Sequence, residues 1–213
     1  MIFDLDGTLV DTVPTRIEAW SAVFEQVGIP STPEQLGPLI GMDGVRLALD
    51  VARAAGEVLD PERAREIDHR AGERFDELNR DPTPLPGARA ALAMLDRVNV
   101  TWAIATSSRP EQVSRSVEAL GLDHEPRIVD GSSVEHAKPA PALLLLAAQR
   151  LDVDPVGLWY VGDSTWDMQA AQAAEMLPIG VLAGAAVDMR SLHDAGAAVV
   201  WRSLDDLLGF RWG

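Results

Sequence analysis

A doubly wound parallel α/β sheet, interrupted by an all-helical insertion, is the fold class this sequence predicts, on three observations. Beyond residue 86, short apolar runs alternate with helical stretches, the pattern of buried strands covered by helices on both faces. Between residues 14 and 79 the periodicity is helical throughout. Separating the two textures, Asp81-Pro82-Thr83-Pro84-Leu85-Pro86-Gly87 carries three prolines and a glycine and reads as a stiff connector.

In chain order, residues 2–5 read as the end of a short buried strand, with only three residues ahead of Asp4, as expected if the natural chain starts earlier. Trp20, Val23, Phe24 and Val27 then recur at helical spacing. Gly28 follows as a stop, and Thr32-Pro33 restarts a helix with proline in a first-turn position. Further helices are expected near 43–55 and 61–79. Past the connector, apolar strands are expected at 100–105, 128–129, 158–161, 179–182 and 197–200, with helices near 88–97, 110–120, 139–151 and 165–174. The simplest assembly joins the first strand to the later half, so that residues 1–12 and 86–213 form a discontinuous core and 13–85 a helical cap.

Composition narrows the function. With 47% apolar and 24% charged residues the chain falls in the ordinary soluble range, and its longest apolar run, residues 142–148, is too short to cross a bilayer. No basic segment followed by an apolar stretch opens the chain, so no secretory signal is expected and the cytoplasm is the expected location. The absence of cysteine excludes disulfides and thiolate zinc sites. A formal net charge of -15 argues against a nucleic-acid partner, which requires a basic footprint. It also means that an anionic substrate must be drawn in by a local metal or basic group. Seventeen of the 18 basic residues are arginine, which leaves Lys138 as the lone lysine.

In open parallel sheets, ligands gather outside the carboxyl ends of the strands. Asp4 and Asp6 follow the first strand, Thr106 and Ser107 follow 100–105, and Asp163 follows 158–161. Lys138, ahead of a helix expected to take Pro139 in its first turn, can approach the same edge. Carboxylates, hydroxyls and one cation are what phosphoryl transfer needs: charge to neutralise several oxygens, a nucleophile in line, and a proton for the leaving oxygen. Carboxylates packed together repel one another unless a hard cation sits between them, and oxygen donors without His or Cys favour Mg2+. In a chain that otherwise uses arginine, a lone lysine suits a compact point charge on a phosphate.

In order and spacing, Asp4-Leu5-Asp6-Gly7-Thr8, Thr106, Lys138-Pro139 and Gly162-Asp163-Ser164-Thr165-Trp166-Asp167 resemble the four motifs of the haloacid dehalogenase superfamily. The resemblance covers nearly the whole chain and implies a Rossmann-like core. The helical insertion is similar to the cap of the phosphoglycolate phosphatase and β-phosphoglucomutase-like branch. By this resemblance, Asp4 attacks phosphorus to form an aspartyl phosphate, and Asp6 protonates the departing alcohol and then deprotonates the hydrolytic water. Thr106 and Lys138 hold phosphoryl oxygens, with Ser107 as a weaker candidate. Mg2+ is taken by an Asp4 carboxylate oxygen, the Asp6 main-chain carbonyl and Asp163, with Asp167 supporting the metal or its waters. Ser164 and Asp167, three residues apart, also read as a capping box, so Asp167 has a purely helical alternative. Arg46, just after Gly41-Met42-Asp43-Gly44, either reaches the substrate from the cap or is a solvated helix residue.

The implied activity is Mg2+-dependent hydrolysis of a phosphoglycolate-like or sugar-phosphate-like small molecule, by a monomer or homodimer. The alternative is a β-phosphoglucomutase-like phosphosugar mutase. Those mutases commonly carry histidine where this chain has Arg16, and Pro14 looks more like the phosphatases. Asp6 argues against dehalogenation, which has no leaving oxygen to protonate. The absence of lysine before residue 138 argues against a cap Schiff base. A non-catalytic binding module would be favoured by loss of Asp4, Asp6, Lys138 or Asp163, and all four are present. Residues 11–14 and 81–87 are expected to act as hinges. Glu175 stands where the family usually has glycine, leaving the helix before it without its customary left-handed residue.

Overall fold

Ile2 and Phe3 form strand β1 (Ile2–Phe3) at the middle of the sheet, where both side chains are fully buried, as a central parallel strand requires. The computed structural model describes residues 1–210. After β1 come β2 (Val10–Asp11) and four helices, α1 (Val13–Val27), α2 (Pro33–Leu36), α3 (Gly44–Ala54) and α4 (Pro61–Leu78). The chain returns through β3 (Thr83–Pro84) and continues as α5 (Ala88–Arg97), β4 (Ala103–Ala105), α6 (Pro110–Leu120), β5 (Ile128–Val129) and α7 (Ala142–Leu151). It ends with β6 (Trp159–Gly162), α8 (Thr165–Ala173), β7 (Leu177–Val181), α9 (Met189–Asp194), β8 (Val199–Trp201) and α10 (Asp205–Leu208).

Among the described residues, the main sheet has the order β5-β4-β1-β6-β7-β8, with every neighbouring pair parallel. Ile2 aligns with Ala103 and Tyr160, and Phe3 with Ile104 and Val161. Side chains alternate across the sheet, so Phe3, Ile104 and Val161 pack with Leu92 and Leu95 of α5, while Ile2, Ala103 and Tyr160 pack with Leu143 and Leu144 of α7. Helices thus cover both faces. From β1 the chain steps to β4 and β5 on one side and then to β6, β7 and β8 on the other, which places the topological switch beside β1.

The four inserted helices have an apolar core of their own, in which α1 and α3 pack on α4 through Trp20, Phe24, Leu47, Val51 and Ile67. Their starts are capped as the sequence dictates: Asp43 accepts from the Arg46 amide at 2.9 Å, and Asp60 from the Glu62 and Arg63 amides at 2.9 and 2.8 Å. The two crossings between insertion and sheet pair with each other, Val10 with Pro84 and Asp11 with Thr83, in a short antiparallel ribbon. The proline-rich segment is therefore tied to the outgoing strand rather than standing alone as a connector.

Other boundaries shift for identifiable reasons. The strand expected from residue 100 begins at Ala103, because Asn99 turns left-handed (φ 57°) and the Val100 amide closes the end of α5 on the Leu95 carbonyl at 2.9 Å. Pro139 is not in the first turn of a helix. It lies in a tight turn closed by the Ala140 amide on the Ala137 carbonyl at 3.0 Å, with a cis Lys138–Pro139 peptide, and α7 starts only at Ala142. Glu175 itself adopts the left-handed conformation (φ 58°), and the Met176 amide returns to the Ala171 carbonyl at 2.9 Å. A side chain in that conformation costs about 1–2 kcal/mol, offset in glycine by its larger loss of backbone entropy. Glu175→Gly is therefore expected to stabilise the fold by about 0.5–1 kcal/mol in chemical denaturation. An unchanged or lowered unfolding midpoint would contradict this.

Candidate active site

Three neighbouring strands deliver the core of the site. Asp4 follows β1, Thr106 follows β4 and Asp163 follows β6; the Asp4 amide still donates to the Val161 carbonyl at 2.8 Å and the Thr106 amide to the Val129 carbonyl at 2.9 Å. The chain then turns sharply at Gly7 (φ 79°), whose amide donates to the Val10 carbonyl at 2.8 Å. A Cβ at Gly7 would lie 2.3 Å from an Asp163 carboxylate oxygen, so only glycine lets this turn pass so close. Thr8 Oγ1 donates to Asp163 Oδ1 at 3.0 Å and fixes that carboxylate against the turn.

Lys138 reaches the same edge through its tight turn and is 1% exposed. Its Nζ donates to Asp4 Oδ1 at 2.5 Å and to Asp167 Oδ1 at 2.8 Å. Asp167 Oδ1 also accepts from the Tyr160 hydroxyl at 2.9 Å, while Oδ2 accepts from the Ser164 amide at 3.0 Å and the Ser164 hydroxyl at 2.5 Å. The expected capping box is thus present, and the same carboxylate anchors Lys138. Asp4, Asp163 and Asp167 are buried, and each offers a carboxylate oxygen within 4.8 Å of the others, close enough to share a metal ion.

The electrostatics of this cluster are unbalanced. Burial, then repulsion from Asp167 and Asp6, outweigh the attraction of Lys138 and push Asp4 up to about 7. Burial likewise lifts Asp163 well above the usual carboxylate range, with Asp167 and Asp4 adding to it. Burial opposes the Lys138 ammonium, yet Asp167 and Asp4 prevail and hold it above its ordinary value. One lysine does not neutralise three carboxylates. An all-oxygen, buried, acid-rich donor set of this kind fits a hard divalent cation.

Asp6 lives in different surroundings. Its Oδ1 accepts from Thr12 Oγ1 at 2.7 Å, and its Oδ2 from Ser108 Oγ at 2.5 Å and Arg16 Nη2 at 3.1 Å, with Thr106 Oγ1 at the 3.5 Å limit. Burial acts to raise its carboxyl, but Arg16 and the hydrogen bonds from Ser108 and Thr12 prevail and hold it below the usual range. Arg16 comes from α1 and lies over the Phe75 ring of α4, 3.6 Å from its centroid, so the insertion itself supplies the cation beside Asp6.

Between the strand ends and the inserted helices lies a cavity of about 270 Å³. Asp4, Asp6, Thr106, Ser107, Lys138 and Asp163 all line it. Asp167 stands behind Lys138, outside the lining. The Ser107 hydroxyl turns to the Gly41 carbonyl at 3.4 Å, a contact between core and insertion. Arg46 does not line the cavity. With Asp43 as cap, Leu47, Ala48 and Val51 take the inward face of α3, and Arg46 turns outward to Asp50 at 3.6 Å and over the Trp166 ring at 5.5 Å. Reaching the substrate through Arg46 is therefore not what this packing provides. Tyr160, Ser108 and Thr12 were not anticipated. Tyr160 is the only tyrosine in the chain, two residues before Gly162 in the fourth motif, and that singularity was a usable signal.

Known proteins are similar to the chain over most of its length. Residues 1–181 match the family described as haloacid dehalogenase-like hydrolase. A phosphoglycolate phosphatase of Neisseria meningitidis is 33% identical over 85% of this chain and 79% of its own length. A phosphorylated carbohydrates phosphatase of Thermotoga maritima is 30% identical over 94% of this chain and 92% of its own, and a beta-phosphoglucomutase of Bacillus subtilis is 29% identical over 97% and 90%. The crystal structure of a hydrolase from Pseudomonas syringae superposes with a TM-score of 0.92 at 33% identity, covering 97% of this chain and 94% of that one.

Proposed function

We propose, since the chain belongs to the haloacid dehalogenase-like hydrolases and is an enzyme acting on phosphoric monoesters, that it hydrolyses a small-molecule phosphomonoester with Mg2+ through an aspartyl phosphate on Asp4. The observation that carries this reading is the convergence of Asp4, Asp6, Thr106, Lys138 and Asp163 on one cavity at the carboxyl ends of adjacent parallel strands, with Asp163 and Asp167 near enough to Asp4 to share a cation. Held by an Asp4 oxygen, the Asp6 carbonyl and Asp163, with Asp167 behind them, Mg2+ would supply positive charge to keep Asp4 ionised and to offset the phosphoryl oxygens. Asp4 then attacks phosphorus in line and forms an acyl phosphate as the ester oxygen departs. Lys138 and Thr106 hold phosphoryl oxygens, assisted by Ser107.

Asp6 serves both halves of the reaction. In the resting molecule Arg16 keeps it ionised; a phosphoryl dianion arriving beside it favours the neutral acid, because like charge raises a carboxyl. It takes a proton from solvent, gives it to the leaving oxygen, and is then the base for the water that attacks phosphorus. Residues 13–85 act as the cap. Both crossings run through the β2–β3 ribbon, and hinging there would open the cavity for exchange and close it against water. Among the described residues no helix is long and apolar enough to cross a membrane. On the chain's composition, a cytoplasmic monomer or homodimer is the form we assign.

Phosphate release from a panel of phosphomonoesters, with and without Mg2+, tests the activity. Phosphate should appear in proportion to substrate consumed; isomerised sugar phosphate without phosphate release would favour the mutase instead. The acid cluster adds a pH signature. In metal-free protein the raised Asp4 contributes stability that is present below about pH 4, the ordinary carboxyl value, and is lost as pH rises through about 7. A cation that relieves this should raise Tm more at about pH 8 than at about pH 5.5, and its apparent affinity should fall by up to about tenfold per pH unit below 7 for each proton displaced. A pH-independent Mg2+ effect on Tm would contradict the assignment.

A further inference from the structure

The insertion side of the cavity carries a second constructed feature. Asp68 of α4 forms an ion pair with Arg109, the residue capping the start of α6, and this contact ties the helical insertion to the core across the cavity wall. Two glycines make it possible. A Cβ at Gly44, the first residue of α3, would lie 1.9 Å from Asp68 Oδ1. A Cβ at Gly72, one turn after Asp68 on α4, would lie 2.7 Å from Gln112 Nε2 and 3.5 Å from the Arg109 guanidinium. Asp43, Asp68, Arg109 and Gln112 all face the cavity, and together they offer both hydrogen-bond acceptors and donors.

Charge decides what this wall can take. Among the described residues lining the cavity, each of the three cations already faces a carboxylate: Lys138 faces Asp4, Arg16 faces Asp6, and Arg109 faces Asp68. Asp43 adds a further negative charge on the insertion side. At this wall a second anionic group on the substrate would meet only Arg109, already paired with Asp68, and would have to lie beside Asp43 and Asp68, while Arg16 stays with Asp6, where the phosphoryl group arrives. Hydroxyl groups meet no such penalty, since they can donate to the carboxylates and accept from Arg109 and Gln112. We propose, building on the phosphatase reading, that Asp68 and Arg109 are specificity-determining residues that select phosphomonoesters of uncharged, hydroxyl-bearing alcohols and reject those carrying a second anion. Rejection of this kind is selectivity by repulsion as much as by attraction.

Glycerol phosphate and phosphoglycerate, phosphorylated on the same kind of primary hydroxyl, form a matched pair that differs by a hydroxymethyl against a carboxylate. With Mg2+ present, kcat/KM of the natural protein should favour glycerol phosphate by about tenfold or more. Asp68→Asn, nearly isosteric, should shrink that ratio by about tenfold, chiefly by lowering KM for phosphoglycerate. Arg109→Gln removes the cation and leaves the carboxylate, so it should widen the ratio. Opposite shifts in the two variants are not what a merely structural role would give, because loosened closure would affect both substrates alike. A ratio near one in the natural protein, or one unmoved by both substitutions, would overturn the inference. Phenyl phosphate, which has neither feature, separates the two levels. Its hydrolysis alongside an unselective ratio would sink only the specificity, whereas failure to hydrolyse any of the three would sink the phosphatase reading and this inference with it.

Discussion

Asp4→Asn is expected to lower kcat by on the order of 10^4-fold or more, because Asp6, the other carboxylate after β1, is held by Thr12, Arg16 and Ser108 and does not replace Asp4 as the nucleophile. The same substitution should leave the metal-free protein at least as stable as the natural one at about pH 8. Asn retains a carbonyl oxygen to accept from Lys138, and Lys138 keeps Asp167 at 2.8 Å. What disappears is the Asp4 charge itself, whose burial, with repulsion from Asp167 and Asp6, pushes that carboxyl up to about 7. Activity and stability thus part company, a combination that a damaged fold does not produce. Paired kcat and Tm measurements check it, and retained turnover in Asp4→Asn would contradict the assignment of the nucleophile.

Lys138→Met should fail in the other way. The methionine stem fills similar space, but Asp4 and Asp167 lose the ammonium that both touch at the buried site. Removing one partner of a buried charge cluster costs about 3–5 kcal/mol, since the remaining charges stay desolvated without compensation. For a chain of this length that is a fall in Tm of roughly 6–20 °C, at about 2–4 °C per kcal/mol. Proton uptake by Asp4, which burial already pushes up to about 7 with Lys138 beside it, limits the loss at acid pH, so the deficit should be larger at alkaline pH. Turnover should fall as well, for want of the cation on the phosphoryl oxygens. An Lys138→Met protein that melts with the natural one across this range would show that Lys138 does not hold the cluster together.

Much of the fold and of the site was legible in the sequence, for a physical reason. A parallel strand buried on both faces must be an uninterrupted apolar run, so its carboxyl end is marked by the first polar residue, and Asp4, Thr106 and Asp163 each occupy that position. Lys138 was legible through its isolation among arginines. What stayed hidden depends on packing between segments far apart in the chain. Tyr160 faces Asp167 from inside β6, where an aromatic ring reads as core. Arg16 reaches Asp6 only because α1 settles over the strand ends, and Ser108 joins them from the loop after β4.

Arg46 shows the opposite limit. Nearness in sequence to the Gly41 turn suggested the cavity, whereas the apolar spacing of Leu47, Ala48 and Val51 already placed Arg46 on the outer face of α3. The β2–β3 ribbon was masked by prolines, which are tolerated there because the strand lies at an edge. The short helices α9 and α10 carry too few residues to show a period.

The stereochemical course at phosphorus tests the covalent route most directly. With a phosphomonoester made chiral by oxygen isotopes and sulfur, and water of distinct isotopic label, transfer to Asp4 and then to water comprises two in-line displacements, each inverting the centre. Net retention of configuration in the released thiophosphate is the predicted result. Net inversion would mean that water attacks the substrate in a single step, and would contradict an aspartyl phosphate on Asp4.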